Sequence, residues 1–252
     1  MRSPRDSGGL PAKYAEIQRT LGSPDRKVKF VMYLFSDGPK EYDFLLKILS
    51  LGRDSYWRES VVRLARPDAK STVVDIACGT GLVSYELASR GASVVGVDVT
   101  REMLLRAKDL DPKRAFNADF VQARAENLPL RDGCADCVVI SLAMRNVSSI
   151  EGSLSEMRRS VRSGGKVMSM DFTRPSGRIF APFYRFYISR LLPALGLAIS
   201  RHWNGIFTYL AGSIDRSNSP EAISNLMRKT GLRDTTIKLM THGVTALVSG
   251  TK

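Results

Sequence analysis

A strand, a glycine-rich turn and a helix follow one another from residue 71 to residue 91, and this order constrains the fold more than any other feature. The strand is the β-branched run STVVDIA, the turn is CGTG and the helix is LVSYELASRG. A second apolar run, SVVGVD, comes directly afterwards. Strands that alternate with helices predict parallel pairing, because two parallel strands need a long crossover connection between them.

The same alternation continues toward the C-terminus. Apolar spacing predicts a helix from residue 101 to about 108, a strand near DFVQA, a buried strand in ADCVVISLAM, a helix from about 151 to 161 and a strand in KVMSMDF. Ser149 is the expected N-cap of the helix from 151, and Gly164 is its expected C-terminal stop. Two alternating runs around His242 and Gly243 predict a hairpin. The expected fold is therefore α/β, with a doubly wound, mostly parallel seven-stranded sheet and a terminal antiparallel hairpin.

Two segments differ from this pattern. The N-terminal residues to about 25 are rich in charge, proline and glycine and predict a loose arm, whereas helical spacing from Val28 to Ala65 predicts two or three helices. Residues from about 174 to 216 predict a helical insertion that carries eight aromatic residues, six arginines and one acid, Asp215. Such an insertion either buries its rings as a plain cap or forms an amphipathic lid that contacts anionic lipid.

Charge and cysteine content limit the partners and the compartment. The chain has 38 basic and 25 acidic residues and a net charge of +13, which favours an anionic membrane, a nucleic acid or a phosphorylated cofactor. Its three cysteines are too few for a disulfide framework and indicate a reducing compartment. Cys134 and Cys137 form a CxxC without a second pair at zinc spacing, so we expect small core residues and no metal site. The apolar run LLPALGLAIS has ten residues and is too short to span a bilayer.

The glycine turn predicts a nucleotide-type ligand. Gly79 and Gly81 lack side chains, so a ligand can approach the backbone amides, and Asp98 ends the second strand where it can accept hydrogen bonds from ribose hydroxyls. Ser84 occupies the position where a dinucleotide fingerprint requires glycine or alanine, which weakens a nicotinamide interpretation. With Asp75 before the turn, the segment resembles the S-adenosylmethionine loop of class I methyltransferases.

Later segments resemble one family more closely, the C-methyltransferases of menaquinone and ubiquinone biosynthesis. These segments are ARAENLPLRDGCADCVVISLAMRNVSS, LSEMRRSVRSGGKVMSMDFTRP, YLAGSI, GVTALVSGTK and the upstream YDFLLKILSLGRDSYWR. The resemblance implies S-adenosylmethionine as cofactor and methylation of a ring carbon of a prenylated hydroquinone, either demethylmenaquinol or a related ubiquinol precursor. It also implies two parts: residues 1–66, an arm and helices that pack over the active site, and residues 67–252, the methyltransferase domain with a helical cap at about 174–216.

Site residues follow from the same resemblance. The residues expected to bind S-adenosylmethionine are Asp75, Gly79, Thr80, Gly81, Asp98, Arg124, Ala125 and Ser141. Arg145 and Asn146 would face the methyl acceptor, with Tyr42 on the opposite wall. Transfer to carbon needs a ring carbon made electron-rich by a hydroxyl that shares or loses its proton. Arg145 could stabilise the developing phenolate as a permanent cation, and Asn146 could orient the ring oxygen.

Several alternatives remain open at this stage. Arg145 could instead pair with an acid at the strand end, and His202 could act as a base if the insertion closes over the site. The acceptor could be another small phenol, a lipid or RNA, although the basic residues are dispersed and no recognised RNA-binding module is visible. We therefore do not expect a nucleic-acid partner. The expected location is the cytoplasm, with peripheral attachment at the inner face of the membrane, and the sequence is compatible with a homodimer.

Overall fold

Three helices begin the part of the chain that the computed structural model describes, which comprises residues 24–36 and 39–252. They are α1 (Pro24–Ser36), α2 (Pro39–Leu49) and α3 (Asp54–Ala65). The helical spacing between Val28 and Ala65 predicted these helices correctly. The predicted arm lies almost wholly outside the described residues.

The remaining described chain contains a seven-stranded sheet in the order β3-β2-β1-β4-β5-β7-β6. Its strands are β1 (Thr72–Ile76), β2 (Ser93–Asp98), β3 (Ala118–Gln122), β4 (Ala135–Ser141), β5 (Val161–Phe172), β6 (Arg233–Met240) and β7 (Thr245–Thr251). Strands β1 to β5 pair in parallel, whereas β7 is antiparallel to both β5 and β6. The predicted doubly wound sheet and terminal hairpin are therefore confirmed.

Four helices connect the strands, namely α4 (Leu82–Ala88), α5 (Arg101–Leu110), α6 (Ile150–Ser160) and α10 (Pro220–Lys229). Ser149 caps α6 as predicted, because its hydroxyl accepts a hydrogen bond of 3.0 Å from the Gly152 amide. The prediction that Gly164 stops this helix was wrong. The helix ends at Ser160, since Val161 adopts an extended backbone and pairs with Ala135 of β4.

The two faces of the sheet carry separate hydrophobic cores, because successive strand residues point to opposite sides. In β1, Val73 belongs to a core shared with the N-terminal helices and the insertion. Its neighbour Val74 belongs to a core with α6 and α10. Cys137 of β4 is buried, as predicted, whereas Cys134 is exposed before the strand, so the prediction that both are core residues was half wrong.

The insertion between β5 and α10 is helical, as its spacing predicted. It consists of α7 (Phe180–Phe186), a π-helical turn (Tyr187–Leu191), α8 (Leu192–Ile199) and α9 (Arg201–Asp215). Helices α8 and α9 pack closely at Gly196, where a Cβ atom would meet the Phe207 ring at 2.7 Å. The Tyr187 hydroxyl donates a hydrogen bond of 2.7 Å to the Ile48 carbonyl of α2, so the insertion covers the same face as the N-terminal helices.

None of the described helices is both long enough and apolar enough to cross a membrane.

Candidate functional site

A cleft with about 770 Å³ of empty space opens at the carboxyl ends of β1, β2 and β4. Strand β1 lies between β2 and β4, so the chain leaves it toward one neighbour and later returns to the other. Open α/β sheets bind ligands at such a switch point, because the loops diverge there and leave a crevice. Ala77, Gly79, Asp98 and Ser141 contribute to the walls of this cleft.

The glycine loop has a backbone that a ligand can reach. Gly79 has a left-handed φ of +57°, and a Cβ atom placed there would meet nothing within 4 Å. Its amide donates a hydrogen bond of 2.9 Å to Asp98, whose second carboxylate oxygen accepts one of 2.8 Å from the Thr100 amide. Burial raises the pKa of Asp98, although these backbone donors partly oppose the shift. The loop and the end of β2 are thus joined through one buried acid.

Asp75 lies beneath this loop with one oxygen satisfied and one not. Its side chain is 1% exposed, and Oδ2 accepts a hydrogen bond of 2.6 Å from the Ser84 hydroxyl. Oδ1 has no hydrogen-bond partner among the described residues, and neither has the buried hydroxyl of Ser141. Both residues line a side compartment next to Gly79. Burial raises the pKa of Asp75 to about 7.

Arg124 and Ala125 lie on another wall of the cleft, next to helix α1. The guanidinium of Arg124 contacts Asp25 of α1 at 2.8 Å and the Ser148 hydroxyl at 3.3 Å. Helix α1 contributes Val28 to the lining of the same cleft, so it forms one wall of the ligand space. The family resemblance had implied that helices of residues 1–66 pack over the active site, without naming the residues of α1 that line it.

Three residues predicted to bind the cofactor, Asp75, Thr80 and Gly81, do not line the main cleft. Thr80 faces the side compartment, and its hydroxyl donates a hydrogen bond of 2.7 Å to Asp43 of α2. Gly81 lines neither the cleft nor the side compartment and instead precedes α4 as its N-cap. Its left-handed φ of +83° explains why a glycine occupies this position, and an added Cβ atom would lie 3.1 Å from the Phe120 ring.

A second, mostly apolar cavity of about 490 Å³ adjoins the cleft. Its walls come from α1, α2, the end of β4 and the insertion helix α9, and its lining residues include Leu46, Phe172, Trp203, Ile206, Phe207 and Leu210. Tyr42 and Leu142 line the cleft, the side compartment and this second cavity alike. These two residues therefore mark the place where the three spaces meet.

Arg145 lies on the wall of the second cavity, with its guanidinium already engaged. It forms an ion pair with Asp171, and it donates hydrogen bonds to the Leu142 carbonyl at 2.5 Å and the Ser213 hydroxyl at 3.2 Å. Its side chain is 7% exposed. The alternative of a pairing with an acid at the strand end is thus correct, and the same pairing holds the cation at the cavity.

Asn146 and Tyr42 also border these spaces. Asn146 lines the cleft, and its side-chain oxygen accepts a hydrogen bond of 3.0 Å from the Tyr209 hydroxyl. Burial raises the pKa of Tyr42 to about 12, because the charge of Arg145 offsets only part of the desolvation. Tyr42 consequently keeps its proton near neutral pH and can act as a hydrogen-bond donor.

His202 is not brought to the site. It lines none of the three cavities, and its ring packs edge-on against Trp203 with centroids 5.8 Å apart. Among the residues that the structure describes, no group of three or more His, Cys, Asp or Glu side chains could hold a metal ion.

The cleft and its side compartment together fit S-adenosylmethionine in their donor and acceptor chemistry. The unpartnered oxygen of Asp75 and the unpartnered hydroxyl of Ser141 can bind an ammonium group, which is a donor-only cation. Asp98 lies at the end of β2, where a carboxylate suits ribose hydroxyls. The apolar Val28 and the neighbouring Ala125 suit an aromatic base.

Comparisons with known proteins agree with this geometry. A family model described as the ubiE/COQ5 methyltransferase family matches residues 22–252. The chain is 36% identical over 219 residues to the demethylmenaquinone methyltransferase of Thermus thermophilus, which covers 86% of the chain and 99% of that relative. It is 34% identical over 224 residues to the ubiquinone/menaquinone biosynthesis C-methyltransferase UbiE of Geobacter sulfurreducens, which covers 87% of each.

Solved structures support the fold. A possible histamine N-methyltransferase from Thermotoga maritima has a TM-score of 0.62 at 21% identity, over 87% of this chain and 98% of that one. A phosphoethanolamine N-methyltransferase 2 from Haemonchus contortus, solved with S-adenosyl-L-methionine, has a TM-score of 0.61 at 14% identity, over 97% of this chain and 60% of that one.

Proposed function

Because the chain belongs to the ubiE/COQ5 methyltransferase family, we propose that it is an S-adenosylmethionine-dependent C-methyltransferase of quinone biosynthesis. Its acceptor is the ring carbon of a prenylated hydroquinone, either demethylmenaquinol or a related ubiquinol precursor. The observation that carries this proposal is the meeting of the cofactor cleft, with its buried carboxylate Asp98, and an apolar cavity at Tyr42 and Leu142.

The cofactor end of the site is assigned to the residues around the glycine loop. S-adenosylmethionine, when bound, supplies an electrophilic methyl group on a sulfonium. Asp98 accepts hydrogen bonds from the ribose hydroxyls, and Asp75 and Ser141 bind the ammonium group. Arg124 and Ala125 border the adenine, and the open backbone at Gly79 allows close approach.

Thr80 and Gly81 have an indirect part in this proposal. Thr80 ties the loop to α2 through Asp43, and Gly81 provides the left-handed turn into α4. Both residues keep the loop in the shape that leaves open space beside Gly79. They therefore support the cofactor site without lining the main cleft.

The acceptor ring fits the second cavity, with its reacting edge toward the cleft. Apolar walls exclude water, which strengthens every electrostatic interaction inside the cavity. Arg145 stabilises negative charge that develops on the hydroquinone oxygen, and the amide of Asn146 orients that oxygen. Tyr42 donates a hydrogen bond from the opposite wall. Fixing the ring in this way aligns the attacking carbon for transfer.

The proton that leaves the acceptor must go to a group with a suitable pKa. The titratable residues that line the second cavity are Tyr42, Arg145 and Tyr209. Burial raises the pKa of both tyrosines, and an arginine keeps its proton at any ordinary pH. We therefore propose that water at the cleft accepts both protons that leave the methyl acceptor. These are the hydroxyl proton and the ring proton lost after the carbon–carbon bond forms.

A competition between acceptors tests the proposed function. Purified protein is incubated with radiolabelled S-adenosylmethionine and with reduced demethylmenaquinone, a reduced ubiquinone precursor or bulk RNA in separate reactions. We expect label in a quinol fraction. Label in the RNA fraction alone, or in no acceptor at all, would overturn the proposal.

We also propose that the insertion attaches the protein to an anionic membrane, where such acceptors reside. Its exposed apolar residues include Ile179, Phe183, Phe186, Leu197 and Ile199, and Ile179 is 89% exposed. The exposed basic residues Arg178, Arg185, Arg190 and Arg201 lie in the same segment. Apolar side chains that enter the lipid boundary beside cations that bind anionic headgroups are typical of interfacial helices.

Liposome flotation tests this attachment. We expect binding to anionic vesicles, weaker binding to neutral ones, and loss of binding when Phe183 and Phe186 are both replaced by serine. Leu105→Ser, which changes an exposed leucine on α5, is the matched control and should bind as the wild type does. Equal absence of binding to both vesicle types would contradict the proposal. The cytoplasmic location, the two-part domain division and the homodimer stay predictions, and sedimentation velocity checks the last.

A further inference from the structure

We propose that Tyr209 is a positioning residue that holds the amide of Asn146 with its nitrogen toward the methyl acceptor. This inference rests on the proposed function, and it assigns a role in the acceptor site to the insertion helix α9. The sequence patterns singled out Tyr209 only as one of eight aromatic residues in the insertion.

The contact between the two residues crosses the boundary of the two main spaces. Tyr209 lines the second cavity and Asn146 lines the cleft. The Tyr209 hydroxyl donates a hydrogen bond of 3.0 Å to Oδ1 of Asn146, and the two residues are 5% and 9% exposed. The Phe30 ring of α1 packs edge-on against Tyr209 with centroids 4.9 Å apart, which fixes the tyrosine ring. Both partners are therefore held in one arrangement.

The direction of this hydrogen bond decides what Asn146 can offer to a ligand. An asparagine amide has one accepting oxygen and one donating nitrogen. Because the Tyr209 hydroxyl already donates to Oδ1 of Asn146, the amide nitrogen is the end that remains to contact the methyl acceptor. A donor stabilises an oxygen that gains negative charge, whereas a carbonyl oxygen in the same place would repel it.

Tyr209 can keep this donor role because its hydroxyl stays protonated. Burial raises the pKa of Tyr209, and the nearby charges of Arg145 and Arg216 offset only part of that shift. The tyrosine does not need to touch the reacting atoms. It acts through Asn146 by excluding the amide orientation that would oppose the reaction.

The variant Tyr209→Phe tests the role of the hydroxyl while it keeps the ring. We expect kcat to fall about tenfold, the equivalent of one orienting hydrogen bond, with KM for the acceptor and Kd for the cofactor within twofold of wild type. Tyr187→Phe is the matched control. It also removes a tyrosine hydroxyl of the insertion, together with its hydrogen bond to the Ile48 carbonyl, but Tyr187 lines none of the three cavities. Its kcat should be unchanged. Equal kcat in Tyr209→Phe and wild type would overturn the inference.

A double-mutant cycle separates positioning from general packing. If Tyr209 acts only through Asn146, adding Tyr209→Phe to Asn146→Ala should reduce kcat by less than twofold further. Losses that multiply instead would show that the hydroxyl acts independently of Asn146 and would contradict the inference.

A measurement without turnover keeps the inference testable if the acceptor assignment fails. In protein labelled with ¹⁵N-asparagine, the side-chain amide of Asn146 should show restricted motion in wild type and in Tyr187→Phe, and faster motion in Tyr209→Phe. Unchanged relaxation in Tyr209→Phe would overturn the positioning role. Absence of quinol methylation by the wild type would overturn only the proposed function.

Discussion

The guanidinium of Arg145 and the carboxylate of Asp171 form an ion pair that is largely withdrawn from solvent, with side chains 7% and 15% exposed. Asp171 also accepts hydrogen bonds from the backbone amides of Arg145, at 2.9 Å, and Phe172, at 2.8 Å. The acid therefore anchors both the main chain and the side chain of Arg145. This double attachment places a fixed cation beside the apolar cavity.

Loss of the acid should destabilise the protein, because it leaves a buried cation without its partner. We expect Asp171→Asn to lower the free energy of unfolding by about 3 kcal/mol. Urea denaturation followed by circular dichroism measures the change. Glu59→Gln, which breaks the exposed pair with Arg63, should cost less than about 1 kcal/mol. Equal changes in the free energy of unfolding would show that the pair at Arg145 stabilises the protein no more than an exposed ion pair does.

Loss of the cation should impair catalysis and leave cofactor binding intact. In the Asp171→Asn background, where the acid's charge is already absent, Arg145→Met should reduce kcat about 100-fold further, since one charge-stabilising group is lost. Calorimetry should give a Kd for S-adenosylmethionine within twofold of that background. An unchanged kcat would remove Arg145 from the mechanism.

The cofactor site should depend on Asp98. Asp98→Ala removes the carboxylate at the end of β2 and the acceptor of the Gly79 and Thr100 amides, so we expect cofactor affinity to fall by about 100-fold or more. Asp119→Ala changes an exposed acid on the neighbouring strand β3 and serves as control. Calorimetric titration compares the two, and similar affinities would contradict the assignment of Asp98.

Stability should respond to the ionisation of Asp75. Burial raises its pKa from 3.8 to about 7, so the folded protein binds a proton that the unfolded chain releases between these pH values. The stability contributed by the neutral form is consequently lost as pH rises to about 7. Asp75→Asn cannot ionise and keeps an acceptor for Ser84.

The free energy of unfolding should therefore shift in favour of Asp75→Asn, relative to wild type, as pH is raised from 5 to 8. Urea titrations of the cofactor-free proteins at each pH measure the difference. A difference that is constant over this range would show that Asp75 does not titrate there.

Filling the second cavity should affect the acceptor alone. Ile206→Trp adds volume on the α9 wall, and we expect KM for the quinol to rise about tenfold while cofactor affinity stays within twofold. Leu105→Trp on the outer surface of α5 is the control for the added ring. Steady-state kinetics distinguish the two, and a rise in the cofactor Kd without a rise in KM would place the acceptor elsewhere.

The sequence predicted the sheet well because its strands carry a local signal. The run that contains Val73 and Val74, for example, is β-branched and is followed by a glycine turn. The residue pattern of the strand and the turn residues that end it therefore predict the same element. The errors occurred where local patterns compete with tertiary contacts. Gly164 resembles a helix stop, but Val161 is buried and already belongs to the strand. Cys134 shares a motif with a buried cysteine yet is exposed just before β4.

The site was predicted less completely than the fold, since several of its contacts join distant segments. The ion pair of Arg145 with Asp171 joins the turn after β4 to β5, and the bond between Thr80 and Asp43 joins the glycine loop to α2. Tyr209 reaches Asn146 from an insertion 63 positions along the chain. The sequence left open that Arg145 pairs with an acid at the strand end, but neither period nor spacing identifies the distant partner in any of these contacts.

The position of the transferred methyl group tests the central claim most directly. The protein is incubated with S-adenosylmethionine labelled with ¹³C in its methyl group and with reduced demethylmenaquinone, and the product is examined by carbon NMR and mass spectrometry. We predict one labelled methyl group bonded to a ring carbon of the quinol. A label bonded to oxygen, or a quinol recovered without label from a protein that binds the cofactor, would contradict the assignment.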